Sequence, residues 1–158
     1  MKCDFEERIN TLLPRAQESR TLLDYLAFQV QKPNEKVSWA PILERFSIFD
    51  RAYICNAMRF SLGEENVLSL TDDNLENFLE NSKNNHKRLI IGGEIDDLKP
   101  ESFLKFKIPK NKNIEENRYN FLFFHDDRAT LPFRIDMRRY CILFNQKAYS
   151  AGKINTSF

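Results

Sequence analysis

Three stretches of this chain share one layout, an apolar run that ends in carboxylates: VLSLTDD at 67–73, RLIIGGE at 88–94 and FLFFHDD at 121–127. If the three runs are strands and lie parallel, Asp72, Asp73, Glu94, His125, Asp126 and Asp127 emerge at the same sheet edge. In open α/β sheets that carboxyl edge is where ligands bind. Hard oxygen ligands gathered there would take Mg²⁺ or Mn²⁺, the ions of phosphohydrolase and nuclease chemistry. Gly92 and Gly93 would let a substrate approach the backbone closely. The same residues also have simpler uses. Thr71-Asp72-Asp73 suits any helix N-terminus through capping and the dipole. Gly92-Gly93 is ordinary turn chemistry, and His125-Asp126-Asp127-Arg128 suits a hairpin loop between antiparallel strands, which would turn the third cluster away from the other two. No motif or characteristic spacing fixes a metal site, so the structural uses take precedence.

A second constellation is Cys55, His125 and Asp136. A thiol on a helix, then a histidine and a carboxylate on later strands, is the chain order of many thiol hydrolases, in which the imidazole takes the thiol proton. Against it, Cys55 lies inside an apolar helical stretch, away from the N-terminal dipole that favours thiolate, and His125 closes its strand. Cys55 therefore reads first as a structural cysteine, and Cys141, between Tyr140 and Ile142, as core. The C-terminal third is basic, with Arg128, Arg134, Arg138, Arg139, Lys147 and Lys153 among Phe133, Tyr140 and Tyr149. Such a mixture can hold phosphates and stack bases, yet its alternation is that of a half-buried strand whose charges are solvated or paired. His86 sits in a polar loop, NSKNNHK.

These positions depend on the elements that carry them. Asp4 and Glu7 form an Asp-x-x-Glu capping pattern before a helical stripe of Phe5, Ile9, Leu12, Leu13, Ala16, Leu23, Leu26, Ala27 and Val30, with a break or kink at Pro14. Trp39, Ile42, Leu43, Phe46, Phe49, Tyr53 and Ala57 keep helical spacing over 38–62, breakable at Ser47–Asp50, and Gly63 is a C-terminal stop. Ile48, Ala52, Cys55 and Leu62 form a second apolar strip on that helix. If uncovered, the strip is an interface, for which Ile48 and Leu62 are the test positions. Strands follow at 67–70 and 88–91 around a helix begun by Thr71, a right-handed βαβ unit. Further strands are expected at 104–108, 119–124, 131–136 and 140–144, the later ones as a meander. The expected fold is α/β, with α+β as the variant: N-terminal helices packed on a mixed sheet that contains one βαβ unit and a C-terminal β meander. It is read as a single domain, 1–158, with a helical part at 1–63, a sheet-containing part at 64–150 and a frayed tail at 151–158.

Composition narrows the function classes. The 158 residues are 42% hydrophobic and 30% charged, which suits an ordinary globular domain. With 24 basic and 23 acidic residues the net charge is +1, so no global field draws in nucleic acid or anionic membrane. Three scattered cysteines, Cys3, Cys55 and Cys141, form no disulfide framework or zinc motif and point to a reducing compartment. No apolar run reaches the roughly 20 residues of a membrane span, and MKCDFEERIN is too acidic for a signal peptide. The expectation is a cytoplasmic protein, with leaderless export leaving no readable signature. The leading function is a small macromolecule-binding domain, its partner another protein or a second copy of itself, with no cofactor and no chemistry of its own. The alternatives are a Mg²⁺- or Mn²⁺-dependent phosphohydrolase or nuclease, then a thiol hydrolase; nucleic-acid binding without catalysis ranks last.

Overall fold

The computed structural model describes residues 3–70, 88–94, 120–125 and 140–145. Two helices come first, α1 (Asp4–Leu12) and α2 (Ala16–Gln31), with Pro14 between them. Proline lacks the amide that would continue the ladder, so α1 closes with the Leu13 amide on the Ile9 carbonyl, and α2 starts afresh. Asp4 is the first helical residue and no side chain caps α1. The expected capping box is replaced by Asp4, Glu6 and Glu7 in the first turn, where they complement the helix dipole. The buried face of α2 runs through Ser19, Leu22, Tyr25, Leu26 and Gln29, and Val30 is exposed. That face is rotated from the expected stripe because polar side chains share it. The Asn120 amide donates to Gln29 Oε1 (2.7 Å) and the Glu35 carbonyl (3.0 Å) and accepts from the Val37 amide (2.8 Å), while the Tyr25 hydroxyl donates to the Phe121 carbonyl (2.6 Å).

Residues 40–44 depart from the expected helix. They form β1 (Ala40–Glu44), and only then does α3 (Ile48–Leu62) begin, followed by a 3-10 turn at Glu64–Asn66. β2 (Val67–Leu70), β3 (Leu89–Glu94), β4 (Asn120–His125) and β5 (Tyr140–Phe144) complete a five-stranded sheet in the order β2-β3-β4-β1-β5. The fold is α/β. Every pair in that sheet is parallel. β2 and β3 pair as the βαβ reading required, Val67 opposite Leu89 through Leu70 opposite Gly92. Among the described residues the sheet is parallel throughout and not mixed, and β4 and β5 are not meander neighbours, because β1 lies between them. Nor is the sheet confined to 64–150, since one interior strand comes from the part read as helical. The expected helix after Thr71 and the strands at 104–108 and 131–136 lie outside the described residues.

Alternation along the strands gives the sheet two faces. Leu43, Val67, Leu89, Ile91, Leu122, Phe124 and Leu143 pack with Ile9, Leu13, Leu22, Leu26, Ile54, Met58 and Leu62 of the helical segment. Ile42, Ile90, Phe121, Phe123 and Tyr140 line the opposite face and are also buried. Strands covered on both sides read as continuous apolar runs, as these do.

Candidate functional site

Because β2, β3 and β4 are adjacent and parallel, the strands leading into Asp72-Asp73 and Asp126-Asp127 end at one sheet edge, together with Glu94 at the end of β3. Asp72, Asp73, Asp126 and Asp127 themselves lie outside the described residues. The antiparallel hairpin expected at His125-Asp126-Asp127 is overturned: both neighbours of β4 run parallel to it. Gly92 does not hold a substrate passage. A Cβ there would come within 2.6 Å of Phe123 Cε1, so the missing side chain makes room for the aromatic ring on the next strand.

The edge contains a residue that sequence reading missed. Glu44 ends β1 in register with His125, and its Oε1 lies 3.6 Å from His125 Nδ1, with the imidazole almost fully buried. The signal was present, since APILE repeats the layout of an apolar run ending in acid, but a helical reading of 38–62 hid it. Among the described residues no group of three His, Cys, Asp or Glu side chains is gathered to hold a metal ion. The chain leaves β1 through Arg45, whose φ of 62° is left-handed backbone, a conformation costly for a residue with a Cβ. It is held by its amide on the His125 carbonyl (3.1 Å), by the Asn145 side-chain amide on its own carbonyl (3.1 Å) and by its guanidinium 5.2 Å above the Phe144 ring.

α3 then begins at Ser47, whose hydroxyl accepts from the Asp50 amide (3.1 Å) and donates to Asp50 Oδ2 (2.7 Å). Asp50 is buried, and Arg8 of α1 reaches its Oδ1 at 2.5 Å. A strand–loop–helix unit binds phosphate when glycine-rich backbone and a lysine cradle the anion at the helix N-terminus. Here the connection Arg45-Phe46-Ser47 has neither glycine nor lysine, Phe46 is in the core, and a carboxylate already occupies the first turn. A second anion would meet like charge at that position.

The thiol constellation is divided by the sheet. Cys55 packs against the helix-side core, and burial raises its thiol pKa, with Arg59 and Arg51 opposing that rise. His125 shares the strand parity of Phe121 and Phe123, on the other face. Asp136 lies outside the described residues. Cys141 is half-buried and its thiol is likewise pushed up by burial.

The outer face of α3 is open. Phe60 is 93% exposed, Phe49 84%, Ile48 77% and Tyr53 39%. Phe49, Tyr53, Asn56 and Phe60 recur at four, three and four residues, so they form one stripe, with Ile48 and Ala52 beside it. Of the two expected interface positions, Ile48 is on this face and Leu62 is in the core. Among the described residues no helix is long and apolar enough to cross a membrane.

No protein-family model matches the chain, and no curated protein matches it. Solved structures do share its fold. The A form apo structure of the NrS-1 C terminal region (305–718) superposes with a TM-score of 0.61 at 15% identity, over 88% of this chain and 36% of that one. A further A form apo structure of the NrS-1 C terminal region gives a TM-score of 0.62 at 18% identity, over 89% of this chain and 37% of that one. This chain thus spans little more than a third of the chains it resembles, and at such identities the likeness is one of fold.

Proposed function

We propose that this chain is a macromolecule-binding module whose partner is another protein, engaged through the outer face of α3, without chemistry of its own. The observation that carries this reading is the open stripe of Phe49, Tyr53 and Phe60 with Ile48 beside it. Large aromatic side chains left in water at helical spacing mark interfaces, where such residues supply most of the binding energy. Two features support binding over catalysis. The Asp50 carboxylate fills the first turn of α3, where a phosphate group would otherwise find helix amides, and the half-buried Cys55 thiol is shifted away from thiolate. The test is a photo-crosslinking residue at position 60 in the full chain, with and without Phe49→Asp. We expect a discrete cross-linked partner that Phe49→Asp abolishes while the melting temperature stays within about 1 °C, as for an exposed site. A partner captured equally by both chains, or none, would count against the reading.

A second reading has its own observation. Parallel β2, β3 and β4 satisfy the directional condition for a divalent-metal phosphohydrolase or nuclease, and Glu44 adds a carboxylate beside His125. On this reading Mn²⁺ raises the melting temperature by linkage, and Glu94→Gln and Glu44→Gln each abolish the rise. No rise in millimolar Mn²⁺ would remove it.

A further inference from the structure

We infer that the outer face of α3 receives an amphipathic helix with lysine or arginine flanking its apolar anchors. This rests on the protein-binding reading above and names the class of partner. Six outward positions of α3, Ile48, Phe49, Ala52, Tyr53, Asn56 and Phe60, are all uncharged. Carboxylates stand beside them and beyond their C-terminal end. Phe5 stacks on Tyr53 with centroids 5.7 Å apart, which sets the first turn of α1 beside the face, and that turn exposes Asp4, Glu6 and Glu7. Beyond Phe60, the 3-10 turn exposes Glu64 and Glu65.

Among the described residues, the arginines near this face are engaged within the fold, Arg8 at the side of the Tyr53 ring. Arg8 bonds Asp50, Arg51 bonds the Phe46 carbonyl, and Arg59 bonds the Ser69 hydroxyl. An apolar strip bordered by acid draws a ligand that is apolar along its centre and cationic beside it. The strip is itself helical, and Phe49 to Phe60 covers roughly 16 Å at 1.5 Å per residue, a fit for about three turns of a partner helix with anchors at i, i+4 and i+7. The same frame repels other occupants. Nucleic acid and anionic lipid would bring phosphate to carboxylate. A second copy docked face to face would bring acid to acid, because an isologous contact repeats one surface.

The experiment uses the full chain and two synthetic amphipathic helices of identical pattern, one of leucine and lysine and one of leucine and glutamate, with binding read by fluorescence anisotropy. The lysine peptide should bind and the glutamate peptide should not. Phe49→Ser with Phe60→Ser should abolish binding without loss of fold by circular dichroism. Glu6→Lys with Glu64→Lys should weaken it roughly tenfold at low salt, and added salt should erase that difference. Equal or preferred binding of the glutamate peptide would overturn the charge assignment and leave the protein-binding surface standing. Phe60-dependent dimerisation on a sizing column would do the same, whereas Phe60-dependent binding of anionic vesicles or oligonucleotides would overturn both the charge assignment and the protein-binding reading of this face. Lysine-peptide binding that survives the double serine variant would overturn this inference too, as would failure of both peptides while the position-60 cross-link forms. If that cross-link also fails, the protein-binding reading falls with it.

Discussion

Gly92→Ala adds a single methyl group, and the sheet leaves it no space. A Cβ at this position meets the Phe123 ring on β4, 2.6 Å from Cε1, well inside van der Waals contact. The ring has little freedom to yield. Phe123 is fully buried, stacks on Phe121 at 5.6 Å and 10°, and abuts Tyr140 at 6.2 Å. Overpacking of this kind costs about 1–3 kcal/mol. For a chain of this size each kcal/mol lowers the melting temperature by roughly 2–4 °C, so a fall of about 4–8 °C is expected near the middle of that range. The cycle that isolates the contact is Gly92→Ala, Phe123→Leu and the double variant in urea. Phe123→Leu alone destabilises by cavity formation, but it opens the space that alanine needs, so the double variant should be more stable than the sum of the singles by at least about 1 kcal/mol. A neutral Gly92→Ala, or strictly additive singles, would refute the steric account and return Gly92 to the role of a substrate passage.

Three further outcomes follow from the same geometry. Leu62→Asp should unfold the domain, because it buries a charge, whereas Ile48→Asp should leave the melting temperature within about 1 °C; thermal melts of both separate core from surface. Asn120→Leu should cost about 2–4 kcal/mol in urea unfolding, since it strands the Val37 amide and the Gln29 side chain. Cys55 should react with iodoacetamide more slowly than exposed Cys3 at pH 7, and its rate should still be climbing above pH 9, because the raised thiol ionises only there; fast labelling at pH 7 that His125→Ala slows would instead favour the hydrolase.

The elements that sequence patterns located are the ones with local determinants. Pro14 separates α1 from α2, Gly63 ends α3, and β2 and β5 have the expected bounds. β1 was hidden for a physical reason. Trp39, Ile42, Leu43 and Phe46 fall at helical spacing, while an interior parallel strand is apolar on both faces and shows no alternation to compete with it. What makes APILE a strand is its place between β4 and β5, partners more than about 75 residues away in the chain. Taken as helix, residues 40–44 leave the sheet starting at Val67, make the third acidic run a hairpin and hide Glu44 beside His125. The convergence of strand ends was legible only as a condition on strand direction. The exposure of Phe49 and Phe60 was not legible, because a buried and an exposed phenylalanine look alike in a helical repeat.

The position of β1 also bears on how the chain is made. Both of its neighbours are translated long after it, β4 about 80 and β5 about 100 residues later. At roughly 5–20 residues per second, β1 waits on the order of 5–20 s on the ribosome with Ile42 and Leu43 unpaired, a template for any passing strand. β2 and β3 can meet in the meantime, but the helix-side core cannot close around Leu43 until β4 arrives. Ribosome-bound chains ending before Asn120 should therefore be open to protease between α2 and α3, and protection should appear in one step once β4 and β5 have emerged. Synonymous changes that slow translation between 94 and 120 would lengthen that interval and raise the demand for chaperones, with no change in the folded protein.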